Sequence, residues 1–150
     1  MSSRYKGTPE EQLALNTYIK LMRSTRAVRW NLGRHLESYG LTLSQLGVLE
    51  SLYHLGSMIE NELRPKLFAL GLEVDELFNR LERKALIRRE RSPGERRLTI
   101  VYLTEVGKEL VEEVFPRHVK HVADCFSVLT QAERAQLSEL CKKLGLHAEA

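Results

Sequence analysis

Apolar positions recur along this chain at two spacings, one helical and one strand-like, and the switch between them outlines its elements. Thr8-Pro9-Glu10-Glu11 sets a cap residue, a proline at the first helical position and a glutamate at the third, the pattern of a capping box. Leu15, Tyr18, Ile19 and Met22 follow at helical spacing. They predict a long first helix running to about Tyr39, with Gly33 as the place for a bend and Gly40 as the stop. Thr42-Leu43-Ser44-Gln45 is a second capping box, opening a short helix with Leu46, Leu49 and Leu52 inward and an end near Gly56. A third helix falls within Met58 to Leu70, where Pro65 interrupts it. Proline costs about 3 kcal/mol in a helix interior but little in the first turn, so this helix is expected to start near Arg64. Gly71 reads as a turn, and Val74, Leu77, Phe78 and Leu81 line one face of a fourth helix from Leu72 to Ala85.

The period then falls to two. Leu86 to Glu90 and Leu98 to Leu103 read as strands joined by a turn at Ser92-Pro93-Gly94-Glu95. Thr104 caps a fifth helix carrying Val106, Leu110, Val111 and Val114, which Pro116 is expected to kink. Thr130-Gln131-Ala132-Glu133 opens a sixth, expected to stop at Gly145. About six helices plus one hairpin make a mainly α chain of the winged helix-turn-helix kind. The outer helices are too long and too apolar to be covered by so small a module. Residues 1–40 and 104–150 are therefore expected to be dimerisation helices of a homodimer, with 41–103 as the winged unit of a single 150-residue domain.

Charge changes the picture only locally. The chain has 23 basic and 20 acidic residues, a net charge of +3, too small an excess to demand a polyanionic partner. The hairpin segment from Arg88 to Arg97 holds five arginines and two glutamates. From Glu60 to Arg83 the balance reverses, with six acidic residues against four basic. Cys125 and Cys141 have no CxxC spacing, which points to a reducing cytosol, and the N-terminus has no signal-peptide core. No apolar run approaches the ~18 residues of a membrane span, so no membrane partner is expected.

Three stretches carry a family resemblance. Leu41-Thr42-Leu43-Ser44-Gln45-Leu46-Gly47-Val48-Leu49 resembles LTxxQxxVL, and Leu81-Glu82-Arg83-Lys84-Ala85-Leu86-Ile87-Arg88 resembles LExxGLVxR, with Ala85 where glycine is usual. Pro93-Gly94-Glu95-Arg96-Arg97 through Val101-Tyr102-Leu103-Thr104-Glu105-Val106-Gly107 resembles PxDRRxxxVxLTxxG. These are motifs of the MarR (multiple antibiotic resistance regulator) family, and the resemblance spans nearly the whole chain. It implies a homodimeric, cytoplasmic, DNA-binding transcription regulator, usually a repressor, on a pseudo-palindromic operator. It also implies a hairpin wing whose tip arginines enter the minor groove. Arg88, Arg91, Arg96 and Arg97 would then be wing contacts, with Glu95 holding the tip in place of the usual aspartate. The arginine fork suits phosphates and a narrow minor groove, whereas the plain alternative is a solvated hairpin.

The fourth helix departs from the pattern. Its outward positions would be Glu73, Asp75, Glu76, Asn79 and Arg80, and carboxylates disfavour approach to phosphates, although an acid can accept from cytosine N4. A second reading therefore stands beside the first: a dimeric ligand-binding or interaction scaffold of the same fold that has lost base reading. The family also implies a small-molecule effector between dimer helices and winged unit. Arg23, Arg26, Arg29 and Trp30 lie on the side of the first helix that would line such a cleft, while the plainer reading makes the arginines solvated and Trp30 core. His118, His121 and Cys125, with Asp124 beside them, fall at a spacing that could gather metal ligands, but they read better as ordinary polar positions on a dimer-facing helix. No metal or cofactor is expected. No GxSxG, P-loop, Rossmann glycine pattern or HExxH occurs, so no enzyme is expected either.

Overall fold

The computed structural model describes residues 4–69, 74 and 76–150. Helix α1 (Pro9–Leu36) opens on Thr8, whose hydroxyl accepts from the Glu11 N–H while the Glu11 carboxylate accepts from the Thr8 N–H. It stays helical through Gly33, passes into a 3-10 turn at Glu37–Tyr39 and ends at Gly40 with φ 68°. Helix α2 (Leu43–Leu55) opens on Thr42 by the same reciprocal bonds and ends at Gly56. Helices α5 (Glu105–Cys125) and α6 (Gln131–Glu149) begin on Thr104 and Thr130. Each threonine cap thus stands where the sequence puts it.

Between α2 and α5 lie β1 (Met58–Ile59), α3 (Glu60–Ala69), α4 (Leu77–Arg83), β2 (Ile87–Arg91) and β3 (Thr99–Leu103). The strands form one antiparallel sheet in the order β1-β3-β2, with Met58 opposite Val101 and Arg89 also opposite Val101 on the other side. Strand β1 is not predicted, because two residues carry no readable period.

The helix bounds differ from expectation in three places. Helix α3 starts at Glu60 rather than Arg64, and Pro65 sits inside it. The missing proline N–H forfeits one bond to the Asn61 carbonyl, but Leu63 and Leu67, on either side of Pro65, are both fully buried and hold the helix to the core. Helix α4 starts at Leu77 rather than Leu72. Val74 is irregular, and Glu76 has φ 65°, a left-handed conformation through which a helix cannot continue. Glu73 and Asp75, assigned from the sequence to this helix, lie outside the described residues. Helix α6 continues past Gly145 to Glu149, and α5 stays helical through Pro116.

One core joins the winged unit to the outer helices. Leu36, Leu49, Leu63, Leu67, Phe78, Leu81, Ile87, Val101, Val111 and Val114 are all fully buried in it. The face that points away from it is different. Leu13 and Tyr18 on α1 and Val119 on α5 are exposed, and Leu140, Leu144 and Leu146 on α6 are too. Helix α6 buries none of its residues. An apolar recess of about 710 Å³ between α1 and α6 is lined by Leu21, Val28, Phe126, Leu137 and Cys141.

A single corner fixes the wing to the helices. Helix α4 ends with the Ala85 N–H bonded to the Glu82 carbonyl and the Leu86 N–H bonded to the Leu81 carbonyl, a Schellman closure with Ala85 at φ 58°. The Thr104 hydroxyl donates to the Ala85 carbonyl at 2.7 Å and accepts from the Gly107 N–H at 3.0 Å, and the Thr104 N–H donates to the Leu86 carbonyl. A Cβ on Gly107 would fall 2.2 Å from that Leu86 carbonyl oxygen, so only glycine lets α5 start here.

Two substitutions at this corner test it by urea or thermal unfolding. Ala85→Gly is expected to raise stability by about 0.5–1 kcal/mol, since a left-handed residue with a Cβ is strained and glycine's greater freedom in the unfolded chain offsets only part of the relief. Gly107→Ala is expected to lower stability by about 1–3 kcal/mol through overpacking against backbone that cannot retreat.

Candidate nucleic-acid interface

The wing tip is built by backbone bonds. The Ser92 N–H donates to the Leu98 carbonyl, and the Leu98 N–H donates to the Glu95 carbonyl at 3.0 Å. The tip turn is therefore Glu95–Leu98, three residues beyond the Ser92–Glu95 turn read from the sequence. Pro93 and Gly94 form a bend ahead of it. Arg96 and Arg97 become the two central residues of that turn, exposed, and their side chains make no hydrogen bond or ion pair among the described residues.

The expected holder, the Glu95 carboxylate, makes no bond to these arginines; Glu95 serves through its carbonyl. The brace comes instead from Arg91, whose guanidinium donates to the Arg96 carbonyl at 2.6 Å. Arg91 thus stiffens the tip as well as adding charge. Arg88 is also engaged: it lies 4.3 Å over the Tyr102 ring, its cross-strand partner, and pairs with Glu90 at 2.7 Å.

Arg89 is the residue that the sequence reading passed over. Strand alternation turns it to the face opposite Arg88, toward α3 and α4. Its guanidinium donates to Glu60 at the start of α3, to Asn79 of α4, and to Glu82 of α4 at 3.2 Å, while its backbone N–H donates to the other Glu82 oxygen at 3.1 Å. Burial alone would pull its pKa down, but its hydrogen bonds to Glu82 and Glu60 and their negative charges outweigh it and the net shift is upward, so the cation is held firmly. Its one sequence signal was its place at an odd position in a strand of otherwise solvent-facing arginines, and its partners lie 7 to 29 residues away.

This network recasts the acidic block. Glu60 and Glu82 face Arg89, with Arg64 a further 3.7 Å from Glu60, and Glu76 pairs with Arg83 at 3.6 Å. Three of the six acidic residues counted along that stretch, Glu60, Glu76 and Glu82, are therefore paired within the fold. Asn79 is committed to Arg89, while Arg80 remains exposed on the outer face of α4.

Of the four first-helix residues named for a cleft, Arg23 does not line the recess that the other three share. Arg26, Arg29 and Trp30 line a recess of about 650 Å³ between α1 and the start of α2, together with Arg34, Leu41 and Leu43. Trp30 is 71% exposed, so it is not a core residue of this chain. His118 and His121 meet His35 of α1 rather than Cys125, and no group of three or more His, Cys, Asp or Glu side chains among the described residues is arranged to hold a metal ion. No described helix is long and apolar enough to cross a membrane.

Known proteins share this arrangement. Residues 33–114, over half of the chain, match the family described as transcriptional regulator SarA/Rot. The HTH-type transcriptional regulator MhqR of Bacillus subtilis is 31% identical, over 91% of this chain and 94% of its own. The crystal structure of AbsC, a MarR family transcriptional regulator from Streptomyces coelicolor, superposes with a TM-score of 0.81 at 23% identity, covering 98% of this chain and 99% of that one. Sco3205, a MarR family regulator from the same organism solved in complex with DNA, gives 0.74 at 25% identity, covering 95% and 89%. With a winged helix-turn-helix in the described order and these relatives across its length, the chain belongs to the MarR family of DNA-binding transcription regulators.

Proposed function

We propose that this regulator acts as a homodimer that occupies a pseudo-palindromic operator and represses by occluding the promoter. Each wing would lie along a minor groove with Arg96 and Arg97 at its tip, and α4 would approach the adjacent major groove through Arg80. The observation that carries this reading is the pair of unpartnered arginines at the centre of the Glu95–Leu98 turn, held out by the Arg91 brace. Two forks presented on a stiff loop lose little freedom on binding, which is what groove entry needs. A likeness to a DNA-bound relative supports the same docking.

The exposed apolar faces of α1, α5 and α6 support the homodimer, since a helix that buries nothing within its own chain has its packing surface left for another. The recess beside Trp30 and its arginines supports an effector site for an aromatic anion, by stacking and charge. Free Cys125 and Cys141 accord with a cytoplasmic protein. Arg89 is read as the positioning residue that sets the wing against α4.

Replacing Arg96 and Arg97 together by alanine is expected to weaken duplex binding by about 1–3 kcal/mol per arginine and to make its salt dependence shallower by about one unit per lost contact. Fluorescence anisotropy against random and genomic duplexes at two salt concentrations measures both. Unchanged affinity would remove the wing from the interface. No wild-type binding even at low salt would favour the ligand-binding scaffold. Arg89→Lys keeps the charge and loses the fork, so several-fold weaker DNA binding with a nearly unchanged melting temperature is expected. Arg89→Ala, which removes the cation that Glu60, Asn79 and Glu82 share, should also cost about 1–3 kcal/mol of stability in the same melts.

A further inference from the structure

Three imidazoles meet where α1 crosses α5. His35 Nε2 lies 3.0 Å from His118 Nδ1, and the His35 ring stacks on His121 with centroids 4.2 Å apart and planes 24° from parallel. Neither the wing nor the recess beside Trp30 uses them. A hydrogen bond between two imidazoles needs one ring to donate and the other to accept, so it exists only while at least one stays neutral. With both rings protonated, two N–H groups face each other and two cations share one contact.

The surroundings supply little compensation. On α5, Arg117 is turned to the Tyr39 hydroxyl of the 3-10 turn, and Lys120 and Asp124 flank His121 at exposed positions. On α1, Arg34 and Glu37 flank His35 at exposed positions. From α2, His54 reaches the cluster only through Phe115 and lies 3.3 Å from Glu50, while Glu112 of α5 accepts from the Tyr53 hydroxyl. Burial first, and the neighbouring histidines second, pull His35 and His118 below the ordinary histidine range.

We propose that His35, His118 and His121 form a proton-operated latch between α1 and α5 that releases DNA on acidification. The sign follows from the His35–His118 hydrogen bond, which needs a neutral ring, and the downward shifts of both rings agree with it. A histidine harder to protonate in the fold contributes stability that is present above its unfolded value and is lost as pH falls through its folded value. Helix α5 begins at the Thr104 corner that carries the wing, so loosening its seat on α1 lets the winged unit drift from the spacing that two half-sites require.

The test is duplex affinity between pH 7.5 and 5.5, with histidine ring titrations by NMR on the same protein; it rests on the DNA-binding reading above. Ordinary electrostatics works against the latch, because acid adds positive charge and strengthens DNA binding. A fall in affinity of about fivefold or more on acidification, abolished in His35→Phe and reduced in His121→Gln, is expected. His35→Phe keeps a ring in the stack and takes up no proton. Affinity that stays flat or rises with acid overturns the proposal, and so does an equal fall in His35→Phe or a titration of the His35 and His118 rings at or above the ordinary value. If wild type binds no duplex at pH 7.5, the DNA reading falls. The latch is then decided by the ring titrations and by an acid-induced loss of melting temperature that His35→Phe should lack.

Discussion

The contact of Thr104 with the Ala85–Leu86 corner is the constraint on which the wing depends. One side chain caps α5, closes α4 and spaces the sheet, because its hydroxyl both accepts from Gly107 and donates to Ala85. Three backbone segments are thereby fixed relative to one another without burying any charge. Gly107 follows as a necessity of that approach, since the Leu86 carbonyl occupies the space a Cβ would need. Ala85 carries the strain of the arrangement, holding a left-handed position that suits glycine. A motif that reads in the sequence as threonine, two residues and glycine is therefore a statement about where a hairpin joins a helix.

Electrostatics inside the winged unit divides its arginines into two kinds. Arg88, Arg89 and Arg91 are engaged with Tyr102 and Glu90, with Glu60, Asn79 and Glu82, and with the tip backbone. Among the described residues the Arg96 and Arg97 side chains have no such partner, and Arg91 holds the Arg96 backbone between them. The same partition reaches into the acidic block before the hairpin: Glu60 and Glu82 pair with Arg89, so a count of charges along the chain overstates the repulsion a phosphate backbone would meet.

The outer helices pose a different physical problem. Helix α1 and helix α5 bury one side against the winged unit and leave apolar residues on the other, and α6 buries nothing. Exposed leucines in such number stabilise a fold only when something covers them. The histidine cluster lies on the inner side of the same pair of helices, where a change in charge would act on both the wing's foundation and the outward face at once.

Local chemistry was legible in the sequence by itself. The Thr8, Thr42, Thr104 and Thr130 caps, the two hairpin strands and the inward leucines of α2 follow from side-chain bonds within three residues or from a repeat of two or 3.6, and the structure holds them where they were expected. What failed to read was decided by contacts distant along the chain. Helix α3 spans Pro65 because Leu63 and Leu67 find a core, and α4 waits until Leu77 because Glu76 turns left-handed. The tip turn moved onto Arg96 and Arg97 because Ser92 pairs with Leu98. Arg89 looked like one more solvated arginine until folding brought Glu60, Asn79 and Glu82 around it, and His35 stands 83 residues from His118. Sequence fixes what a residue can do with its near neighbours. Only the tertiary structure decides which distant charge, ring or carbonyl it meets, because that choice is made by the packing of whole elements around one core.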